Sequence, residues 1–494
     1  MLLCIFILLP LLAAAQPTPP QIAWSYRYFD GDTSLTYADH AVTAAGEVFV
    51  CGRANDSQFG GRAFVLKLSS DGERQWLRYY GAGTLDEQLS FGGIDDAGTG
   101  SLIVGGTLAD YSAPTSQLYA TAINAVTGDV LWSFASEELL CSNGQAIAAN
   151  DGGAYVAGLI LASATGEERL HAARVSPGGE PLWEETFGEM TASLPFFLRR
   201  YQDGMVVLGS VLHQRPTPRL VAHRIDSTSA EIFGVEYDDE AEVAVGLRVF
   251  NDGLLGYLVN DGSDFPPELY LNEFIVADEM GRIDLAFRLP LKTYSTDGTV
   301  NDLYEFTSYT LIDETSIVVS GGKYIPDPNV LSIQPMIVQF DLTTGDTVWI
   351  EPYGDTLRGV VPYLPSIENA PDQGLVMASA RQDTAFHVGI EVTRTVGETS
   401  TVPTSSPWSA DLAKVFPNPF NAEAQIQFSL LRAAEVNVKL FDITGREVRA
   451  IASGRLTAGI HRLVVSGDGL ASGAYLVSVT VDGIRQSQRA ILLR

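Results

Sequence analysis

MIVQFDLTTGDTVWIEPYG, from Met336 to Gly354, is the clearest copy of a phrase that recurs along this chain. It combines an alternating apolar strand, a glycine-containing turn, a tryptophan four residues after that glycine, and a second strand that ends on Tyr-Gly. This order is typical of a β-hairpin, because glycine supplies the positive φ that a short connection requires. Further copies are FVLKLSSDGERQWLRYYG (Phe64 to Gly81), YATAINAVTGDVLWSF (Tyr119 to Phe134) and LHAARVSPGGEPLWEETFG (Leu170 to Gly188).

The tryptophan position of the phrase repeats at a nearly constant interval. The intervals are 52, 56, 51, 50, 52 and 64 residues, and five of the six tryptophans in the protein lie at this position. Such a period indicates a repeat architecture, and we interpret the ring as packing between neighbouring repeats. In chain order the position holds Trp24, Trp76, Trp132, Trp183, Phe233, Leu285 and Trp349.

A second phrase alternates with the first and consists of a tight turn followed by a short, nearly all-apolar strand. That pattern is typical of a strand buried on both faces. With a less regular strand before each turn, one repeat holds four strands, and radial repetition of four-stranded sheets is the β-propeller arrangement. The sequence therefore predicts an all-β fold with a seven-bladed β-propeller over residues 21–397. The seven copies are AGEVFVCG (Ala45 to Gly52), GTGSLIVGG (Gly98 to Gly106), DGGAYVAG (Asp151 to Gly158), DGMVVLG (Asp203 to Gly209), NDGLLGYL (Asn251 to Leu258), DETSIVVSG (Asp313 to Gly321) and DQGLVMAS (Asp372 to Ser379).

The two ends of the repeat region predict how the ring closes. The last unit, AFHVGIEVTRTVG (Ala385 to Gly397), lacks the tryptophan, whereas Trp24 has no first half of the phrase before it. We expect the strand around Trp24 to pair beside residues 385–395 and complete that blade. The interval of 64 contains an insertion from Leu291 to Ser308, which we expect to enlarge a loop on one face.

Three further segments flank the repeats. Residues 1–15 are an apolar run ending in small residues, which predicts a signal peptide cleaved after Ala15 and no transmembrane anchor. Residues 398–411 form a Ser/Thr/Pro linker. Residues 412–494 form a separate domain, predicted to be a small immunoglobulin-like β-sandwich. Its expected strands are Ala424–Leu430, Glu435–Asp442, Gly459–Val465, Gly473–Val481 and Gln488–Leu493.

The charge of the chain is −29 and unevenly distributed. Residues 412–494 carry 10 Lys and Arg against 6 Asp and Glu, so the rest of the chain has a net charge of −33. A surface that acidic repels phosphate backbones, which excludes nucleic acid as a partner. We interpret the charge as solubility outside the cell, with attraction of a cation or a basic partner as the alternative.

The chain contains no motif that identifies catalytic chemistry. It has no H-E-x-x-H, G-x-S-x-G or phosphate-binding loop, and its six histidines show no metal-ligand spacing. Acidic turns leave calcium open as a ligand, and we expect no other cofactor. Cys51 and Cys141 are the cysteines that remain after the leader, and we expect them to be free and buried.

Polar residues just ahead of the buried strands are the candidates for a ligand site. In a propeller they should gather near one end of the ring axis. These residues are His40, Gln88, Asn143, Ser193 and Glu242.

The C-terminal domain resembles the sorting domain of proteins exported by the type IX, or Por-type, secretion system. The pieces that carry the resemblance are PNPFN (Pro417 to Asn421), VKLFDITGREV (Val438 to Val448), LTAGIHRL (Leu456 to Leu463), LASGAYLVSV (Leu470 to Val479) and the terminal AILLR. The resemblance implies that the type IX machinery is a partner and that the protein is secreted from, or displayed on, a Gram-negative bacterium. The motif residues are Pro417, Asn418, Pro419, Phe420, Gly445, Arg446, Gly473 and Tyr475.

The repeat is similar to those of secreted bacterial propellers and to the tryptophan-docking repeat of pyrroloquinoline quinone enzymes, as in NAVTGDVLW. The quinone enzymes usually have eight blades and commonly an adjacent cysteine pair. This chain has seven copies of the second phrase and no adjacent cysteines, so we expect no quinone.

These observations favour a secreted, monomeric, non-enzymatic propeller that binds or scaffolds a protein or glycan partner. One alternative is an extracellular glycan hydrolase or lyase with an acidic site on the axis. Another is a structural component of the cell surface.

Overall fold

The structure of the protein is a computed structural model that divides into two compact units, Met1–Glu398 and Thr399–Arg494. The predicted signal peptide (residues 1–15) and the predicted linker (residues 398–411) lie outside the described residues. The structure describes residues 19–30, 33–56, 60–81, 84, 86–113, 115–161, 167–191, 196–211, 218–237, 242–249, 255–261, 271–278, 280–289, 292–294, 300–313, 316–325, 332–341, 347–353, 357–358, 366–382, 388–396, 414–416, 418, 420–430, 434–442, 446–456, 459–481 and 484–493.

The described part of the first unit consists of strands, turns and loops, without a helix. Its strands form seven sheets, which we number along the chain starting from the sheet that contains β2 (Ser34–Val42). The most N-terminal strand, β1 (Ile22–Tyr28), belongs to the last of them. Sheets 1 to 5 each contain four consecutive antiparallel strands. They are β2 (Ser34–Val42), β3 (Val48–Asp56), β4 (Gly60–Leu68) and β5 (Arg74–Tyr80) in sheet 1; β6 (Glu87–Asp96), β7 (Ser101–Asp110), β8 (Thr115–Asn124) and β9 (Val130–Ala135) in sheet 2; β10 (Cys141–Ala148), β11 (Ala154–Leu161), β12 (Glu168–Val175) and β13 (Pro181–Glu189) in sheet 3; β14 (Phe197–Tyr201), β15 (Gly204–Val211), β16 (Arg219–Ile225) and β17 (Glu231–Glu236) in sheet 4; and β18 (Glu242–Val249), β19 (Leu255–Asp261), β20 (Leu271–Ala277) and β21 (Ile283–Leu289) in sheet 5.

Sheets 6 and 7 depart from this plan. Sheet 6 has six strands. The sequence insertion adds the short strand Lys292–Tyr294, which pairs with an extended neighbour, where we expected a larger loop. A second short strand, Leu357–Arg358, pairs with Ser332 and Ile333. Sheet 7 combines three late strands with β1, which pairs with the last of the three. The strands are β22 (Lys292–Tyr294), β23 (Val300–Asp313), β24 (Ser316–Ile325), β25 (Ser332–Asp341), β26 (Thr347–Pro352) and β27 (Leu357–Arg358) in sheet 6, and β28 (Ser366–Asn369), β29 (Leu375–Gln382) and β30 (Val388–Thr395) in sheet 7.

The seven sheets contact one another in a cycle. The strand β2 contacts β6, and the contacts continue through β10, β14, β18 and β23 to β28, which contacts β2 again. These strands therefore surround a common axis, which is the arrangement of a β-propeller. The next strands outward are almost wholly buried, as in β15, because each lies between the faces of two neighbouring sheets. This explains why their sequences are apolar at nearly every position.

The last sheet is closed by the two ends of the first unit, as the position of Trp24 predicts. Trp24 lies opposite Arg394 in an antiparallel pairing of β1 with β30. Arg394 also donates to the carbonyl of Ser70 over 2.7 Å and pairs with Asp372 at 2.9 Å. The strand β30, which pairs with β1, is thus linked to sheet 1 as well as to its own sheet.

The second unit contains two antiparallel sheets around its own apolar core. The five expected strands are present, and two more, Lys414–Phe416 and Glu447–Leu456, were not predicted. The core contains Phe420, Val438, Val477 and Leu492. The strands are β31 (Lys414–Phe416), β32 (Glu423–Leu430) and β35 (Gly459–Ser466) in one sheet, and β34 (Glu447–Leu456), β33 (Ala434–Asp442), β36 (Gly473–Val481) and β37 (Ile484–Leu492) in the other.

Candidate functional site

Charged side chains converge where the first strands of the sheets surround the axis. Alternate residues of a strand point to opposite faces. Each charged residue is adjacent to a buried residue of the same strand, so the two point in opposite directions. The charged residues are only partly buried, which places them against solvent on the axis. This axial cluster consists of Asp39, Asp95, Arg199, Arg248 and Glu368.

Arg248 holds three sheets together at the axis. Its Nε donates to the carbonyl oxygen of Tyr309 over 3.0 Å, and its Nη2 donates to that of Ile367 over 2.9 Å. The same Nη2 lies 2.8 Å from Oε1 of Glu368. Burial would raise the pKa of Glu368, but the positive charges of Arg248 and Arg199 outweigh it and hold that pKa below its usual value.

The two aspartates of the axial cluster accept hydrogen bonds from the next sheet. Oδ2 of Asp39 accepts from the amide of Ile94 over 3.4 Å, and Oδ2 of Asp95 accepts from the amide of Ala148 over 2.9 Å. Burial raises the pKa of Asp39 to about 6 and also raises that of Asp95. The axial cluster therefore combines acidic and basic side chains whose hydrogen bonds and ion pair connect neighbouring sheets.

His40 lies beside Asp39 but points away from the axis. Its ring is buried between sheets 1 and 7, where Nδ1 is 3.0 Å from the hydroxyl of Tyr37 and 2.7 Å from that of Ser366. Nε2 is 3.3 Å from the carbonyl oxygen of Val376. A neutral ring with its proton on Nε2 donates to Val376 and accepts at Nδ1 from one of the two hydroxyls, which are hydrogen-bonded to each other. Burial lowers the pKa of His40 to about 4.

A cavity of about 430 Å³ opens at the edge where the first strands of sheets 2 and 3 begin. Gln88 lies at the start of β6 and Asn143 at the start of β10, so the cavity brings two of the five predicted ligand residues together. Most of its lining surface is apolar, with neutral polar side chains between the apolar ones, and Tyr111 and Leu140 are exposed at its border. We call this space the amide cavity. Its lining is Arg53, Gln88, Leu89, Ser90, Thr107, Ala109, Asp110, Tyr111, Thr115, Ser116, Leu140, Cys141, Ser142 and Asn143.

The side of the amide cavity next to sheet 1 is formed by Arg53. A Cβ built on Gly61 would lie 2.4 Å from Nε of Arg53, so the glycine leaves the space that the guanidinium occupies. Nη2 of Arg53 donates to Oε1 of Gln88. This bond orients the Gln88 amide at the wall of the cavity.

The remaining predicted ligand residues are placed elsewhere or not described. His40 is buried as above, and Ser193 lies outside the described residues. Glu242 begins β18, and the structure describes its backbone only. Sequence reasoning missed Arg53, which lies within β3, and Tyr111, which directly follows β7, because each reaches the cavity only through the way neighbouring sheets pack.

The repeated aromatic residues lie against the next sheet. A Cβ built on the turn glycine of that sheet would be 2.6 Å from Trp24 for Gly72 and 2.9 Å from Trp132 for Gly179. Phe233 lies in the same way against the glycine at 281. The phrase therefore pairs the ring of one sheet with the bare turn of the following one. Trp76 lies against Gly128, while Trp349 is buried in another cluster of sheets 6 and 7.

Two of these tryptophans are also hydrogen-bonded to the turns. Nε1 of Trp24 donates to the carbonyl oxygen of Ser70 over 3.0 Å, and Nε1 of Trp183 donates to that of Ser227 over 2.8 Å. These hydrogen bonds fix each indole ring against the turn of the next sheet. They give the repeated tryptophan a role in packing between sheets.

Cys51 and Cys141 are unpaired and buried, as predicted. Burial raises the pKa of the Cys141 thiol to about 11. No group of three or more His, Cys, Asp or Glu side chains that could hold a metal ion occurs within the described ranges.

The C-terminal motif residues support the core of the second unit. Phe420 is buried, and its amide donates to the carbonyl oxygen of Ile491 over 2.8 Å. Oδ1 of Asn418 accepts from the amide of Ile491 over 2.8 Å. The hydroxyl of Tyr475 donates to the carbonyl oxygen of Ala471 over 2.7 Å. Arg446 is exposed and Gly473 begins β36, whereas Pro417, Pro419 and Gly445 lie outside the described residues.

Comparison with solved structures gives β-propeller proteins at low identity. The propeller domain of the trilobed protease from Pyrococcus furiosus is 7% identical, with a TM-score of 0.43, over 76% of this chain and 98% of that one. Acylaminoacyl peptidase from Pyrococcus horikoshii is 8% identical, with a TM-score of 0.40, over 81% of this chain and 59% of that one. Prolyl oligopeptidase B from Galerina marginata is 8% identical, with a TM-score of 0.39, over 74% and 47%. The comparison with curated proteins gives no match.

Residues 414–493 match the family described as the secretion system C-terminal sorting domain, Por_Secre_tail. The match covers the strands β31 to β37. A helix long and apolar enough to cross a membrane does not occur in the part of the chain that the structure describes. The protein therefore carries a type IX sorting domain behind an all-β, propeller-like unit, and it is secreted or located at the cell surface.

Proposed function

We propose that this protein is a seven-bladed propeller that is exported by the type IX system and binds a glycan outside the cell. The observation that carries the proposal is the amide cavity. Its volume, about 430 Å³, is within the usual range of small-ligand sites. It would accommodate one or two sugar residues of a larger glycan.

The lining of the amide cavity supports a neutral, hydroxyl-rich ligand. Gln88 and Asn143 carry amide groups, which can both donate and accept hydrogen bonds. Tyr111 is 61% exposed and offers an apolar ring face with a polar edge. A sugar presents hydroxyl groups at its rim and C–H groups on its face, so it complements both kinds of side chain.

A glycan array with the full-length protein tests this proposal. We expect binding to a restricted group of glycans and a loss of about tenfold or more in affinity for Tyr111→Ala and Gln88→Ala. Leu182→Ala is the matched control, because Leu182 is an exposed apolar residue of sheet 3 outside the cavity. Equal binding by all three variants, or binding to no glycan, would contradict the proposal.

The alternative of a glycan hydrolase or lyase draws on the axial cluster, in which three carboxylates converge. Asp39 accepts a backbone hydrogen bond and Glu368 pairs with Arg248, so both have bonds that a purely structural role explains. We therefore favour binding over catalysis. Release of reducing ends from a polysaccharide, abolished by Asp39→Asn, would favour the enzyme instead.

A further inference from the structure

A second cavity, of about 370 Å³, lies between sheets 3 and 4, away from the amide cavity. Three glutamates and a histidine line it, together with two valines and two glycines. We call it the glutamate cavity. Its residues are Gly188, Glu189, Val211, Val221, His223, Glu231, Gly234 and Glu236.

The histidine of the glutamate cavity is poised with one nitrogen unused. His223 is only 4% exposed, and its Nδ1 lies 2.5 Å from Oε1 of Glu231. Because a carboxylate only accepts, Nδ1 carries the proton and a neutral ring has a lone pair on Nε2. Nε2 is buried and has no hydrogen-bond partner among the described residues. Buried polar atoms are normally satisfied, so this nitrogen points to a missing donor.

Two glycines leave space around this ring. A Cβ on Gly188 would lie 2.7 Å from Cε1 and 3.3 Å from Nε2 of His223, and one on Gly234 would lie 3.2 Å from Nδ1. Gly188 and His223 both line the cavity, so the edge of the ring that carries Cε1 and Nε2 lies at the cavity beside Gly188. Any larger residue at either position would fill the space.

The neighbouring sheet provides an internal comparison. His171 lies on β12, the strand of sheet 3 that corresponds to β16, where His223 lies. Its Nδ1 is 2.9 Å from the hydroxyl of Thr186, and its Nε2 is 2.9 Å from Oε1 of Glu184. Both nitrogens of His171 are thus satisfied within sheet 3. In sheet 4 the residue paired with His223 is Gly234, which offers no such partner.

The charges around the glutamate cavity favour a cation. Glu189, Glu231 and Glu236 contribute three carboxylates, and Arg219 lies 3.5 Å from Glu236 and offsets one of them. The hydrogen bond from His223 holds the pKa of Glu231 below its usual value, so Glu231 is ionised at neutral pH. Val211 and Val221 add an apolar wall that suits methylene groups.

We propose that the glutamate cavity binds an alkylammonium group, with its ammonium donating to the carboxylates and to Nε2 of His223 and its methylene chain against the valines. The group could come from a lysine side chain of a basic protein or from a free aliphatic amine. Both sources present the same chemistry to the cavity. The inference does not depend on glycan binding at the amide cavity.

Isothermal titration of the full-length protein tests the inference with n-butylamine, with 1,5-diaminopentane and with a lysine-containing peptide. Butan-1-ol is the neutral control of the same length as butylamine. We expect the amines to bind and the alcohol not to bind. Peptide binding much tighter than amine binding would identify a lysine side chain as the natural ligand, and equal affinities would identify a free amine.

Variants locate the site. We expect His223→Gln and Glu189→Gln each to weaken amine binding about tenfold. His171→Gln is the matched control and should leave it unchanged, because both nitrogens of His171 are bonded within sheet 3. The inference is overturned if no amine binds, if His171→Gln weakens binding as much as His223→Gln, or if calcium binds in place of the amines. A thermal melt of each variant separates lost binding from lost folding.

Discussion

Single residues at the axis show how burial decides ionisation. Asp39 and His40 are adjacent in β2, yet one side chain meets the axis and the other is buried between sheets. Burial opposes the charged form of both, so it raises the pKa of the acid to about 6 and lowers that of the base to about 4. Neither pKa shift could be predicted from the sequence, because each depends on what surrounds the face of β2 on which the side chain lies.

His40 should make the first unit sensitive to acid. Its pKa is about 4 in the folded state and about 6.5 in an unfolded chain, so the unfolded state binds the proton first as the pH falls. The contribution of the neutral, buried His40 ring to the free energy of unfolding is fully present above pH 6.5. It decreases by up to about 3 kcal/mol as the pH falls towards 4. In His40→Gln we therefore expect a smaller difference in melting temperature between pH 7.5 and pH 4.5 than in the natural protein.

Asp39 has a raised pKa in the folded state, so its effect on the pH dependence of stability is opposite to that of His40. This effect is the same in the natural protein and in His40→Gln, and it therefore cancels in the comparison. His461→Gln, in the second unit, controls for the loss of a histidine. An unchanged acid sensitivity in His40→Gln would show that the buried ring stays neutral for another reason, or that it titrates normally.

At the scale of elements, each of sheets 1 to 5 has a hairpin that packs against the aromatic ring of the preceding sheet. The turn glycine has two reasons to be glycine, which are its positive φ and the close approach of that ring. Gly72 has φ +87°, and a Cβ there would lie 2.6 Å from Trp24. Gly152 has the same φ, but no atom lies within 4 Å of a Cβ built on it.

The two glycines separate strain from packing. Gly152→Ala should cost about 1 kcal/mol, for placing a side chain at positive φ. Gly72→Ala should cost about 1–3 kcal/mol more, because the methyl group also displaces the Trp24 ring. Urea unfolding followed by tryptophan fluorescence measures both. Similar losses in the two variants would mean that Trp24 moves without cost and does not hold the sheets together.

At the scale of the whole molecule, the two units contribute different properties. The sheets of the first unit and their apolar clusters contain residues of that unit only, and the second unit has its own core. Each unit should therefore fold without the other. The match of residues 414–493 to a sorting domain assigns export to the second unit.

Deletion of residues 412–494 should separate export from folding. We expect the truncated protein to remain inside the cell envelope while its melting temperature stays within a few degrees of that of the full chain. Cell fractionation and a thermal melt measure the two effects. Arrival of the truncated protein outside the cell would contradict the sorting assignment.

A substitution inside the second unit sharpens that result. Phe420→Ala removes a buried ring and should cost about 3–5 kcal/mol, which would unfold the small domain and reduce export. Leu476→Ala is the control in the same domain, because Leu476 is 40% exposed. Equal export of the two variants would mean that the secretion machinery reads an unfolded segment.

The sequence by itself determined the period, the all-β class, the closing strand and the sorting domain. The first three depend on local alternation, glycine turns and spacing along the chain, whereas the sorting domain was identified by the resemblance of its motifs to a known family. The strand β34 was missed, because REVRAIASGRL is too polar and small to indicate a buried strand.

Only the tertiary structure decided what the sheets hold between them. Two features of the amide cavity join different sheets: Gln88 is bonded to Arg53, and Gln88 and Asn143 line the same space. The lack of a partner for Nε2 of His223 likewise depends on what the neighbouring strands place beside the ring. Spacing along one strand fixes which face a side chain occupies, but not what the neighbouring sheet places opposite it. For that reason the tryptophan of MIVQFDLTTGDTVWIEPYG identifies the repeat from the sequence alone. The candidate ligand sites depend on contacts that the repeat does not encode.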